Sequence, residues 1–204
     1  VGTTTVAAYL VDLQTGQVYS TESGMNPQVA FGDDVISRLY HALHNEDGVR
    51  ELQQTLITEV NGLARKALER CGATPHDIFD VVMVGNTAMH HLFLGLDPQS
   101  LGTAPFTPAI KGAIDARASA LGLEFHPNCR LHVLPVEAGF VGADNVAVII
   151  AEEPYKQDEV LLIVDIGTNG ELVLGNRQRM VSASCATGPA LEGAHIESGM
   201  RAAP

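Results

Sequence analysis

The 204-residue sequence predicts an α/β fold of two lobes, and three observations carry that prediction. Apolar runs of strand length alternate with stretches whose apolar residues recur at helical spacing. Two glycine- and hydroxyl-rich loops, Gly2-Thr3-Thr4-Thr5 and Asp165-Ile166-Gly167-Thr168-Asn169-Gly170-Glu171, each stand in a strand context, 165 positions apart from Gly2 to Gly167. A small-residue stretch over 139–151 lies between them and reads as a connector. The expected division is a first lobe over 1–145, connector included, and the beginning of a second over 146–204.

The elements follow in order. Val6 to Leu13 is strongly apolar and turns at Asp12–Gly16 into Gln17-Val18-Tyr19-Ser20, a hairpin. Asn26-Pro27-Gln28 is a turn. Asp33 or Asp34 opens a helix with Val35, Ile36, Leu39, Tyr40 and Leu43 on its apolar side. A longer helix spans 49–70, where Leu52, Leu56, Val60, Leu63, Ala64, Ala67 and Leu68 share a face and Cys71-Gly72 ends it. The run 80–84 is a strand leading through Gly85-Asn86-Thr87 into a short helix from Ala88. Residues 98–108 are turn-rich, 117–121 helical, 130–135 a strand and 139–151 helix-like. A polar break over 152–158 precedes a strand–loop–strand unit over 160–174, a turn at Gly175-Asn176 and a tail from Ser182. Segments 3–11, 80–84 and 131–134 are expected in the first sheet region, and 160–164 in a separate sheet.

Composition narrows the function. The chain is 46% hydrophobic and 18% charged, as globular domains are. A net charge of -12 excludes a broad nucleic-acid or anionic-membrane surface, and the absence of tryptophan leaves little for base stacking. No apolar run reaches membrane-spanning length, and the start lacks signal-peptide features, so a cytoplasmic location is expected. Cys71, Cys129 and Cys185 form neither a disulfide framework nor a CxxC knuckle, nor the clustered spacing of a plant-type 2Fe-2S site. Because Val1-Gly2-Thr3 begins inside a strand–loop unit, the sequence reads as an excised segment, and no carboxylate precedes the first loop.

Backbone N–H groups and hydroxyls of such loops cradle phosphate oxygens, with a nearby carboxylate left for Mg2+. There is no GxGxxG and no GxxxxGK[ST], which argues against dinucleotide and P-loop folds. The order of elements fits the divided nucleotide-binding architecture of actin-like (ribonuclease H-like) ATPases. Asp165, ending an apolar strand, is the first candidate for a metal and water carboxylate; its alternative role is stabilising a tight turn. Glu171 either assists at that metal or water or projects outward. Asp144 either serves the nucleotide or caps the connector. Gly2, Gly167 and Gly170 give room for phosphate or satisfy turn geometry, while Thr3, Thr4, Thr5, Thr168 and Asn169 donate to phosphate or close local turns. His90 and His91 are adjacent, which suits packing or capping rather than zinc. Asn86 and Thr87 are cleft candidates, Thr87 also as a helix cap. Ser184 and Cys185 lack a nucleophile elbow and read as a packing or nucleotide-wall loop. Phe93, Phe106, Phe125 and Phe140 are expected to fill core or interlobe space.

Six segments in order then carry a specific resemblance: VGTTTVAAYLVDLQTG at 1–16, NPQVAFGDDVISRL at 26–39, VGNTAMHHLFLG at 84–95, PVEAGFVGAD at 135–144, DIGTNGEL at 165–172 and SASCATGPALEGAHIESGM at 182–200. Together they cover nearly the whole sequence, which resembles the C-terminal actin-like ATPase region of the reductive activators of corrinoid proteins. The resemblance implies an ATP-hydrolysing enzyme that helps drive electrons into a Co(II) corrinoid, restoring Co(I). It implies ATP/ADP and Mg2+ as ligands, a corrinoid protein and a low-potential electron donor as partners, and a 2Fe-2S ferredoxin-like domain N-terminal to these residues. It makes Gly2–Thr5 the first phosphate loop, puts Asp144 in the first connector and makes Asp165–Gly170 the second phosphate loop, with adenine-binding residues beyond Pro204. The segment is then an incomplete fragment holding the first lobe and the start of the second. Exposed apolar second-lobe surface is expected, and with it a possible homodimer. Competing readings are a partner-binding regulatory or scaffold module of actin-like fold, and a small-metabolite kinase.

Overall fold

The computed structural model describes residues 1–167 and 169–186; Thr168 and the stretch 187–204, which holds most of the sixth segment, lie outside the described residues. The chain divides into two compact units, Val1–Asp144 and Asn145–Pro204.

The first unit opens with a hairpin. Strand β1 (Thr5–Val11) pairs antiparallel with β2 (Val18–Met25), Thr5 opposite Met25 and Leu10 opposite Ser20. Asp12 shapes the turn by accepting from Gln14 N and Thr15 Oγ1, and Gly16 takes a left-handed φ of 74°. Helix α1 (Val35–His44) starts at Asp34, whose carboxylate accepts from Ser37 N at 2.7 Å while the Ser37 hydroxyl answers the Asp34 N–H. Its buried face is Arg38, Leu39 and Ala42, so the expected apolar side is corrected: Ile36 and Tyr40 are 66% and 63% exposed. The buried guanidinium sets this rotation. Arg38 Nε donates to Gly32 O at 2.9 Å and Nη1 reaches Gln28 Oε1 at 3.4 Å. Burial pushes its pKa down to about 10, opposed by Asp34 and Asp33.

Helix α2 (Gly48–Cys71) runs 24 residues and ends at Gly72 (φ 67°), whose N–H returns to Leu68 and Glu69 carbonyls. Leu52, Leu56, Leu63 and Leu68 are all but fully buried, and each contributes about 1.5–3 kcal/mol by leaving water. The helix packs on both hairpin strands, on α1 and on helix α3 (Thr87–Leu94). Strands β3 (Asp80–Met83), β4 (Ile114–Arg117) and β5 (Arg130–Val133) form a second sheet in the order β3-β5-β4, with β3 parallel and β4 antiparallel to β5. Four-residue β4 has no apolar run to announce it, and the helix expected at 117–121 is a single 3-10 turn over Ala118–Leu121. The expected first sheet region is likewise corrected. β1 pairs with β2 and not with β3, so β1 and the β3–β5 pair lie in separate sheets. Leu56, Phe93, Leu131 and Val133 centre the core between these layers.

Helix α4 (Ala143–Glu152) carries the boundary between the units. The second unit then holds an antiparallel meander of β6 (Leu161–Ile166), β7 (Asn169–Gly175) and β8 (Met180–Ala186). One face of it exposes Leu162, Val164, Ile166, Leu172 and Leu174, an apolar surface of the kind expected for this lobe. No helix among the described residues is long and apolar enough to cross a membrane.

Candidate functional site

In the first unit the loop Gly2–Thr5 closes on itself, Gly2 N donating to Thr5 O at 2.8 Å. Two asparagines hold it. Asn26, fully buried, donates from its backbone to Thr4 O at 2.7 Å and from Nδ2 to Gly2 O at 2.9 Å. Asn86 Nδ2 donates to Thr3 Oγ1 at 3.0 Å, while its Oδ1 caps α3 by accepting from Met89 N at 3.0 Å. Thr3 is thereby buried and committed to the fold, whereas Thr4 and Thr5 are exposed. The start of α3 stands beside this loop, with positive partial charge at its first N–H groups.

Asp144 completes the cluster. Ala143 N and Asp144 N donate to Gly85 O at 3.0 and 3.3 Å, docking the first turn of α4 on the β3–α3 junction. Burial lowers the pKa of the Val1 amino group, and the Asp144 carboxylate opposes that shift. Only glycine fits at 142: a Cβ there would lie 2.6 Å from Asn86 Cα, 2.6 Å from Asp144 Oδ1 and 2.7 Å from Thr87 N. Thr87 is the first helical residue rather than the cap, and its hydroxyl donates to Ala138 O at 2.7 Å. Asn86 thus joins Thr3 to the start of α3, and Gly85 joins the same junction to the first turn of α4.

The histidines lie on α3. His91 accepts from Ala109 N at Nε2 (2.9 Å), which leaves the proton on Nδ1 to donate to Thr87 O (2.8 Å). Burial lowers its pKa, opposed by that carbonyl. His90 is fully buried and neither ring nitrogen has a partner among the described residues; burial, then His91, pushes its pKa down to about 4. Of the four phenylalanines expected to fill space, Phe93 is core and Phe125 packs against it. Phe106 and Phe140 are instead half exposed and lean on each other at 5.0 Å, a departure from the expected filling role.

In the second unit the β6–β7 hairpin carries the other loop. Gly167 N donates to Asn169 O at 3.0 Å, Ile166 pairs with Gly170, and Asp165 stands directly opposite Glu171. Side chains so paired project from one sheet face about 4.5–5.5 Å apart at Cβ. Ser184 on β8 donates to Glu171 Oε1 at 3.1 Å, and Cys185 Sγ reaches Gly170 O at 3.3 Å. Both residues therefore act as walls of the hairpin. Gly167 has ordinary space around a notional Cβ, its nearest neighbour being Asn169 O at 3.4 Å, so sterics alone do not demand glycine there. Among the described residues no group of three or more His, Cys, Asp or Glu side chains that could hold a metal ion is found. The sequence reading missed Asn26 as an anchor. Its only signal was the Asn-Pro pair, which reads as a turn.

A family model described as the RACo middle region matches residues 1–157, and one described as the C-terminal domain of RACo, the ASKHA domain, matches 159–204. The corrinoid activation enzyme RamQ of Eubacterium limosum is 37% identical over 201 residues, 98% of this chain and 34% of that protein. A [Co(II) methylated amine-specific corrinoid protein] reductase of Methanosarcina barkeri is 40% identical over 83 residues, 41% of this chain and 15% of that protein. A solved reductive activator for corrinoid, iron-sulfur protein superposes with a TM-score of 0.91 at 39% identity, covering 100% of this chain and 32% of that one. The chain thus spans about a third of the length of the relatives that match it throughout.

Proposed function

The chain belongs to the RACo family and has the actin-like, ASKHA type of fold, and from that premise we propose that it supplies the phosphate- and Mg2+-binding part of an ATP-hydrolysing reductive activator. The activator's target is a corrinoid protein, reduced from Co(II) to Co(I) with electrons from a low-potential donor. Its 2Fe-2S group and adenine contacts belong to the longer polypeptide. The observation that carries the reading is the register of the β6–β7 hairpin, which sets Asp165 opposite Glu171 beside the Gly167–Asn169 turn. Like charges directly opposed across a sheet repel, and a cation between them removes that cost. Mg2+, when bound, neutralises charge on phosphate oxygens.

The chain's own residues then divide the work. Asp165 and Glu171 hold the metal's hydration shell, with Ser184 fixing Glu171 by its 3.1 Å hydrogen bond. Gly167 N–H is spent on Asn169 O, so phosphate contacts at this loop fall to Asn169, Gly170 and Thr168, the last outside the described residues. In the first unit Thr4 and Thr5 donate to phosphate, Gly2 and Thr3 keep the loop's shape, and Asp144 orients water or metal.

The test uses the full-length protein, comparing wild type and Asp165→Asn for folding, ATP affinity and Mg2+-dependent turnover. Turnover that rises on adding Co(II)-corrinoid protein, and that falls at least about tenfold in the variant, or about 1.4 kcal/mol of transition-state stabilisation, is the expected result. Wild-type turnover in a folded Asp165→Asn protein removes the metal-water role. Phosphorylation of a small alcohol or acid without any corrinoid coupling replaces the activator by a metabolite kinase.

A further inference from the structure

Asn26, Gln28, Arg38 and Met89 are buried together in the first unit although they come from three different elements. Asn26 caps the 3-10 turn Pro27–Phe31 that contains Gln28, Arg38 lies on α1 and Met89 on α3. Burying a guanidinium is costly, and an apolar side chain of similar volume often fills such a space at no loss of stability. The partners of Arg38 show what its charge does there.

Asn26 Nδ2 and Arg38 Nη1 address the same two acceptors. Gln28 Oε1 lies 3.2 Å from the asparagine nitrogen and 3.4 Å from the guanidinium nitrogen, and Met89 Sδ lies 3.6 Å from each. None of these parts is free to swing. Gln28 Nε2 donates to Leu52 O at 2.9 Å, and Arg38 Nε donates to Gly32 O at 2.9 Å. With a pKa of about 10 the guanidinium keeps its charge at neutral pH, and a charged donor competes strongly for a shared acceptor. The best contact left to Asn26 Nδ2 is the one that Arg38 does not share, Gly2 O at 2.9 Å. Asn26 Oδ1 accepts from Gln28 N at 3.0 Å, which fixes the amide against a flip.

The consequence falls on the first loop. Asn26 N takes Thr4 O at 2.7 Å while Nδ2 takes Gly2 O, so both carbonyls point at a fully buried residue. A carbonyl dipole turned outward repels an anion, whereas backbone N–H groups and hydroxyls attract it. Met89 extends the link to the second support of the loop, because its N–H is held by Asn86, which also donates to Thr3 Oγ1.

We propose that Arg38 is a positioning residue for phosphate binding: through Gln28, Met89 and Asn26 it keeps the Gly2 and Thr4 carbonyls turned inward, away from an arriving phosphate group. The proposal rests on the reading of Gly2–Thr5 as a phosphate loop.

The test uses the full-length protein with Arg38→Met, Gln28→Met and the double variant, each checked for folding by urea unfolding. Amide exchange reads the loop without any nucleotide, and calorimetry with Mg2+-ATP reads its affinity. In Arg38→Met the Gly2 and Asn26 amides are expected to exchange at least about tenfold faster, with mid-strand β1 amides unchanged, and ATP to bind about tenfold more weakly, as for loss of one hydrogen bond from a charged donor. The two single effects on ATP affinity are expected to fall short of adding in the double variant, since one residue acts through the other. Arg38→Lys, whose ammonium keeps the charge but lacks the planar fork, is measured alongside and is expected to change both readouts in the same direction. Wild-type loop exchange in folded Arg38 variants overturns the proposal, and so does full additivity. Faster loop exchange with wild-type ATP affinity overturns it differently, by removing the phosphate reading of the loop.

Discussion

Replacing His90 by leucine tests the buried face of α3 on which the first loop rests. The ring is fully buried, neither nitrogen has a partner among the described residues, and burial holds its pKa near 4. A histidine with a folded pKa below its unfolded value of about 6.5 takes up its proton first in the unfolded chain. Its share of stability is therefore intact above about pH 6.5 and is lost as pH falls towards 4. Integrating that difference from neutral pH to about pH 5 gives a loss of about 2 kcal/mol attributable to this one ring. His90→Leu abolishes the loss, and at about pH 7.5 it leaves stability unchanged or raised, since no hydrogen bond is broken. Urea unfolding followed by circular dichroism at the two pH values, with the slope checked for constancy, measures it. His91 and the carboxylates remain in both proteins and supply the common background. A wild-type and variant difference that is the same at both pH values refutes the reasoning.

Two further substitutions probe the first loop and its supports. Gly142→Ala drives a methyl into Asn86 and Thr87, and it is expected to cost about 1–3 kcal/mol and to weaken ATP binding by the full-length protein, read by calorimetry. Asn26→Asp keeps the oxygen that accepts from Gln28 N but loses the donor to Gly2 O and buries a charge; a drop in stability of about 3 kcal/mol or more is expected near neutral pH, shrinking in acid as the carboxyl protonates, by urea unfolding at both conditions.

The helices were the most legible part of the sequence. Leucines at helical spacing announced α2, and Gly72 ended it where a left-handed residue is needed. Asp34 and Ser37 likewise marked the start of α1. The rotation of α1 was not legible, because a hydrophobic pattern cannot foresee that Arg38 will be buried and satisfied by Gly32 and Gln28. β4 was hidden for a similar reason: Ile-Asp-Ala-Arg is set by its partner β5, not by its own propensity. At the site, both loops and Asp144 were visible as glycine, hydroxyl and carboxylate patterns. The difference in exposure among neighbouring threonines was not. It depends on Asn86, 83 positions away, which buries Thr3 and leaves Thr4 and Thr5 exposed.

That long-range hydrogen bond also has a consequence in time. The first loop leaves the ribosome before Asn86 does, and the side chain that locks Thr3 is made 83 residues later. At about 5–20 residues per second the interval is roughly 4–17 seconds, long compared with the microseconds a hairpin takes to form. The β1–β2 hairpin can thus fold, with Asn26 holding Gly2 and Thr4, while the Thr3 side chain waits for its partner. A nascent chain stalled before Asn86 is expected to protect the hairpin strands and the Asn26-held carbonyls while the Thr3 hydroxyl stays open to solvent. Release past α3 then locks the Thr3 side chain in a single late step.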